Sequence, residues 1–416
     1  MALLQLALSL SAFIGLLGVG LLFVFVGIGQ LTSQTAGISD PASTFLYAAG
    51  LIFSGFLLLP SAVFALLRLI RGRSSQVPPI FSGRWLLLAS GLLIFIFPLV
   101  LLAGNLVATR EKIAWFLLPP LHILAVSVPI FWLVMLGLRG LSHGSGQYSW
   151  GLFGAGLVLG PILILFLELA LLAVFLVIAI LFISRQPDLA GELTYLMQRL
   201  RNLPSNPEVL VQILQPYVLH PAVIVGVFAY IGIFVPLIEE TIKPIGIWFL
   251  AGRRLSPADG FIAGLFSGAG YALFENLFLS SSAPQWMSLV LARVGTGAVH
   301  IFTASLVGWG LASAWGQGRY LRLGLSFVLA VCVHGLWNGL TLLTTGAQFI
   351  SDTVASSFKQ VGNFFPLGLG LLAIICVLMI WLFNRLMRRA IIAPLPLAIP
   401  PEDEQRSDRE SEIDEV

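Results

Sequence analysis

The sequence predicts an all-α polytopic membrane protein of about ten transmembrane helices, with both termini cytoplasmic. Three observations predict it. Apolar residues fill 58% of 416 positions and charged residues only 10%, where a soluble domain carries roughly 25% charged residues. Apolar runs long enough to cross a bilayer core as a helix recur along the whole chain, and the mean hydropathy is +0.98. The alternating segments of about ten residues that a closed barrel needs are not seen. Helices remain, because unpaired backbone groups are not tolerated in hydrocarbon.

The runs place spans at 4–28, 44–69, 85–108, 115–138, 150–184, 221–250, 257–279, 288–314, 322–344 and 364–386. No Lys or Arg precedes the first run, MALLQLALSL, so it reads as a retained helix and not a signal peptide. The fifth run exceeds one crossing and carries Pro161, which predicts a kink or an interfacial extension. The insertion 185–220 contains GELTYLMQRLRNL, whose spacing predicts an amphipathic surface helix. Arg71, Arg73, Arg139, Arg253, Arg254, Arg319, Arg322, Arg388 and Arg389 fall in alternate loops, which sets the cytoplasmic side. The tail from Pro400 is short, acidic and expected to be disordered.

This organisation divides the chain into an accessory region 1–184, the insertion 185–220, a polar core 221–345, a loop and last helix 346–390, and the tail 391–416. The net charge of +3 is dispersed among loops and leaves no nucleic-acid footprint. Cys332 and Cys376 sit inside apolar runs and read neither as a disulfide nor as a CxxC site.

An ionisable side chain in a bilayer core costs at least ~2.5–3.5 kcal/mol on insertion scales, so clusters of them mark function. Away from their ends, the first five spans hold only His122 and Glu168. The next four hold Glu239, Glu240, Lys243, Glu275, Arg293, His300 and His334, with Asn276 and Asn338 beside them. Glu239 and Lys243 are four apart and share a helix face. Glu240 is turned about 100° from Glu239, so the two acids differ in role. Pro236 and Pro244 bracket them and loosen the helix.

In the next span Ser256, Pro257 and Asp259 form a helix start, which makes Asp259 a structural residue. Gly260, Gly264 and Gly268 then form a stripe that admits a close neighbour, and the same face reaches Glu275. Each feature has a plainer reading: a Glu–Lys pair that only fixes packing, a Glu275–Arg293 pair, histidines satisfied in a core.

Hydrolysis of a peptide bond needs water, a base to activate it and donors for the oxyanion. Glu can supply the base, and neutral His and Asn can supply donors. GxSxG and HExxH are absent, and Cys332 and His334 lie on different helix faces, which disfavours serine and cysteine nucleophiles and excludes an ordinary zincin. Two His and a Glu on separate helices can still hold Zn²⁺.

The order EETIK, DGFIAGLFSGAGYALFEN, an isolated His in AVHIFTASLVGWG, then HGLWN resembles the PrsW family of membrane proteases over about 236–340. The four blocks are specific together and none is so alone. The family is related to the CAAX prenyl endopeptidases. The resemblance implies Glu239 and Glu240 as paired acids closed by Lys243, Glu275 with Asn276 as the second motif, His300 as the third, and His334 with Asn338 as the fourth. The CAAX relatives have His where this chain has Glu275, and their first motif closes with Arg one residue later.

The expected activity is a multi-pass plasma-membrane endopeptidase acting on membrane-anchored proteins, anti-sigma factors among them. Glu239 is expected as general base, exchangeable with Glu240 and partnered by Lys243, with His334 and Asn338 as oxyanion donors. Glu275 and His300 orient the water or, with His334, bind a metal. Asn276, Arg293 and Asp259 support. The cofactor is either none or zinc. Rival readings are a proton-coupled transporter, which predicts an internal repeat that is not found, and a scaffold binding single helices through the glycine stripe. One tension stands. Glu239 lies about 27 Å along its span and Glu275 about 25 Å along the antiparallel next one, at about 1.5 Å per residue. A tilt, a break near Pro236 or different boundaries must reconcile them.

Overall fold

A computed structural model describes residues 1–32, 40–72, 84–142, 144–201, 207–278, 285–349 and 362–392. It contains ten helices apolar and long enough to cross a membrane, at Ala2–Thr32, Pro41–Arg71, Leu88–Ala108, Glu111–Leu138, Gly146–Ser184, Pro221–Ile242, Pro257–Phe278, Trp286–Gln317, Tyr320–Gly346 and Phe365–Ala390. No β-strand occurs among the described residues. The acidic tail from Pro400 and Arg73 lie outside them.

The first helices are α1 (Ala2–Thr32), α2 (Pro41–Phe56), α3 (Leu59–Arg71), α4 (Arg84–Ala108) and α5 (Glu111–Leu138). The second span is therefore two helices that meet just before Pro60, whose ring cannot continue an unbroken ladder. The fifth is α6 (Gly146–Gly154), a π-helical turn Ala155–Leu159, and α7 (Gly160–Ser184). The irregularity expected at Pro161 is this π turn. Its Gly156 lies against the Ser267 carbonyl, where a Cβ would collide, so α6 and the turn sit directly on the glycine-rich helix. The insertion folds as α8 (Pro187–Arg201) and α9 (Pro207–Val218), and α8 leaves most of its described side chains exposed.

The sixth span differs from the continuous 221–250 expectation. It comprises α10 (Pro221–Ala229), a second π turn Tyr230–Phe234, α11 (Val235–Ile242) and a single turn, α12 (Ile245–Trp248). The helix breaks at Lys243–Pro244, because Pro244 has no amide to continue the ladder. Ser267 Oγ donates to the Lys243 carbonyl and satisfies it. Irregular backbone at membrane depth survives only when enclosed by protein, and Gly246, Ile247 and Leu250 are buried. This break resolves the depth tension. The end of α11 is level with Ser267, ten residues into the next helix, and long side chains span the remaining distance to Glu275.

The last helices are α13 (Pro257–Phe278), α14 (Trp286–Gln317), α15 (Tyr320–Phe349) and α16 (Phe365–Ile392). Helices α13 and α14 are the most enclosed spans. Gly260, Gly264 and Gly268 meet Gly308, Ala304 and the His300 carbonyl of α14 so closely that a Cβ on any of the three would overlap them. One apolar core joins α5, α6, α13, α14 and α16 through Ile130, Leu133, Leu152, Phe261, Leu265, Ile301 and Ile380. The first five helices are thus packed onto the polar core, not set apart from it. His122, buried on α5, accepts from Trp286 Nε1 at 3.3 Å and serves this packing.

The glycine stripe gives a direct test. Gly264→Val places a branched side chain against the Ala304 backbone, and overpacking of this kind costs about 1–3 kcal/mol or more. Thermal unfolding in detergent should show the loss, whereas Gly91→Val, at a position with open space, should not.

Candidate active site

The break at Lys243 turns its side chain inward, and the ammonium lies among four oxygen and nitrogen atoms. Nζ is 2.9 Å from Glu239 Oε2 and 2.8 Å from Glu240 Oε1. It is also 2.6 Å from His300 Nδ1 and 3.3 Å from His334 Nδ1. The contact with Glu239 Oε2 is close in distance without hydrogen-bond alignment, which leaves that oxygen unsatisfied. The Lys243 and Glu240 side chains are completely enclosed, and Glu239 keeps 7% of its surface. The turn of about 100° between the two acids is what separates them: Glu240 is held between Lys243 and His334 Nδ1, while Glu239 lies beside Lys243 and toward His334 Nε2.

The partners set the imidazole tautomers. An ammonium can only donate, so His300 Nδ1 is an acceptor and its proton resides on Nε2. That Nε2 stands 2.5 Å from Glu275 Oε2, again without hydrogen-bond alignment. His334 Nδ1 lies 2.9 Å from Glu240 Oε1, which can only accept, and 3.3 Å from the ammonium, which can only donate. The shorter contact gives Nδ1 the proton, so the ammonium stands beside His334 without a hydrogen bond to it. The Nε2 of His334 is therefore bare and faces Glu239 Oε2 at 3.8 Å. The oxyanion-donor role expected for His334 thus requires a second proton on Nε2.

Glu275 pairs on its other oxygen with Arg293 Nη1 at 3.1 Å. Asn276, buried on α13, donates to the Arg293 carbonyl at 3.0 Å and ties α13 to α14. Asn338 Nδ2 donates to the Ile231 carbonyl at 3.0 Å, so one of its two amide hydrogens holds the second π turn. Asp259 accepts from Ser256 N and Oγ at 3.0 and 2.7 Å as a helix cap, the structural role read from the sequence, and stands outside the cage.

Two further residues border the cage. Tyr271, one turn before Glu275, lies with its ring 5.0 Å from Lys243 Nζ and edge-on to His300 at 5.1 Å. A cation over a tyrosine face is stabilised by the ring quadrupole, and the only sequence signal was that one-turn spacing. Glu168 is half-buried on α7, which packs against α11 and α13. The fifth span therefore borders the site. Its sequence signal was the charge itself, set in an otherwise apolar run.

Charge counting limits what the cage can hold. The carboxylates of Glu239, Glu240 and Glu275 face the cations of Lys243 and Arg293, which leaves one negative charge over when both histidines are neutral. In a low-dielectric interior that surplus favours a proton or a cation.

Glu239, His300 and His334 each offer one donor atom, and these lie within 4.8 Å of one another. Two His and one Glu is a ligand set found in catalytic zinc sites. The chemistry of the donors, together with the unsatisfied Glu239 oxygen, fits a divalent metal, provided that Lys243 swings out of the cage. Glu275, expected beside the two histidines as a ligand, instead stands against the other nitrogen of His300, the position from which a carboxylate orients a ligating imidazole.

Acids and imidazoles enclosed between membrane-spanning helices fit the class of intramembrane hydrolases. It belongs to the PrsW family of intramembrane metalloproteases, whose family model matches residues 148–381. The match begins in α6 and ends in α16, so it takes in the fifth and last spans as well as the four polar ones. No curated protein and no solved structure matches the chain.

Proposed function

We propose that this peptidase cuts membrane-anchored proteins, anti-sigma factors among them, at a peptide bond brought to the cage in the plasma membrane. One observation carries the reading: Glu239, Glu240, Lys243, Glu275, His300 and His334, from four consecutive spans, meet in a single enclosed cluster.

Glu239 is the general base. It is the acid that joins the two histidines and it keeps 7% of its surface where Glu240 keeps none, and a base must stand where water can join it. It removes a proton from water, and the oxygen forms a bond to the carbonyl carbon. The resulting oxyanion takes hydrogen bonds from the remaining Asn338 amide hydrogen and from His334 when Nε2 is protonated, a state the surplus negative charge favours. The proton then passes to the leaving nitrogen as the carbon–nitrogen bond breaks. Glu240 and Lys243 hold His334 and Glu239 in place. Glu275 fixes His300, and Arg293 fixes Glu275.

If the family's metal is bound, Glu239, His300 and His334 would hold it, and it would supply Lewis-acid polarisation of water. The deciding experiment is cleavage of a single-span substrate by the purified full chain before and after chelation, alongside metal analysis. Loss on chelation with restoration by zinc supports the metal route, and loss of bound zinc in His300→Ala and His334→Ala supports these residues as ligands. Full activity without metal assigns the Glu239 route.

A further inference from the structure

We infer that the chain carries a second, non-catalytic site that holds one anionic phospholipid. A cavity of about 1190 Å³ lies between the first half of α1 and a wall made by α3, α6, the first π turn and the segment around α12. Its length fits one leaflet. The lining on α1 runs from the first turn to Leu16, about 22 Å at about 1.5 Å per residue, against half of a bilayer about 40–45 Å thick with its headgroups. It opens sideways to lipid, because Leu8, Ile162 and Phe249 both line it and stay exposed.

The two ends differ in chemistry. Arg68 and Arg253 lie at one end, at the same end of the bundle as Arg139 and Arg254. Arg68 is fixed there: its Nη1 donates to Gln147 Oε1 at 3.1 Å, and Gln147 Nε2 donates to Gln5 Oε1 at 3.0 Å. A guanidinium has five N–H donors, so most remain for a ligand. The Tyr148 hydroxyl also lines this end and has no hydrogen-bond partner. Asp259 is the opposing charge there, and its Oδ2 is engaged in the Ser256 cap. The other end, around Ala12, Leu16, Val158 and Ile162, is apolar, and the Ser9 and Ser61 hydroxyls between the two ends are hydrogen-bonded to each other.

Two guanidiniums and an unsatisfied hydroxyl above an apolar trough one leaflet deep match a phosphate headgroup above an acyl chain. Basic residues at the membrane surface each add attraction for anionic lipid. The wall includes Gly246, Phe249 and Leu250, the chain that follows the Lys243–Pro244 break, so a bound lipid braces the segment that carries the lysine.

The test uses the purified full chain and native mass spectrometry, with phosphatidylglycerol or phosphatidylcholine added in turn. The expected result is a one-to-one phosphatidylglycerol adduct that raises the unfolding temperature. The double variant Arg68→Gln/Arg253→Gln should weaken that adduct at least about tenfold. Leu8→Trp, which fills the trough without touching charge, should abolish it while leaving unfolding in phosphatidylcholine unchanged. Inorganic phosphate alone should give no stabilisation. Equal retention of both lipids, an unweakened adduct in the arginine double variant, or a co-purified transmembrane peptide displaced by Leu8→Trp would each overturn the proposal.

Discussion

Glu239→Gln is expected to lower cleavage of a membrane substrate by about 10²–10⁴-fold, the range for removing a general base, while the helices stay packed. The variant keeps the shape of the side chain and removes the one negative charge that the cage holds in excess. Lys243 retains Glu240 as its aligned partner, so the unfolding temperature should not fall. Glu240→Gln makes the contrast. Glu240 is fully enclosed and fixes the His334 tautomer, so its loss should impair both cleavage and stability. If Glu239→Gln cuts at the parent rate, the assignment of the base is refuted. If it is inactive because it no longer folds, the unfolding measurement will say so.

Lys243→Met should give the largest loss of stability, about 3–5 kcal/mol, the usual cost of leaving a buried charge without its partner. The ammonium is the common neighbour of two carboxylates and two imidazoles, and an apolar side chain of similar length replaces none of those contacts. Two further measurements separate this cause from simple misfolding. Adding Glu240→Gln should recover much of the deficit, since coupled neighbours are not additive. Zinc should stabilise Lys243→Met more than the parent, because metal and ammonium draw on the same donors and ligand binding adds stability by mass action. Equal stabilisation of parent and variant by zinc would place the metal elsewhere or remove it from the site.

Much of this protein was legible without coordinates, and the reason is the lipid solvent. A bilayer forces helices and sets their length, so nine of the ten spans fall where apolar runs put them. It also makes every intramembrane charge costly, which singled out Glu239, Glu240, Lys243, Glu275, Arg293, His300 and His334. Short-range geometry was equally readable: the four-residue spacing of Glu239 and Lys243, the Ser256–Asp259 cap, and the glycine stripe that brings α13 against α14.

Tertiary structure alone decided how those groups meet. Pro244 could break, kink or merely bend its helix, and only the neighbour, with Ser267 to receive the Lys243 carbonyl, fixed a break at that level of the membrane. That break put Lys243 between two carboxylates and two imidazoles and made Glu239 the acid that joins the two histidines. Glu275 went instead to the far nitrogen of His300. Helical periodicity fixes which residues share a face. It carries no information about the height at which one helix stops beside another, and in this site that height decides which carboxylate has which task.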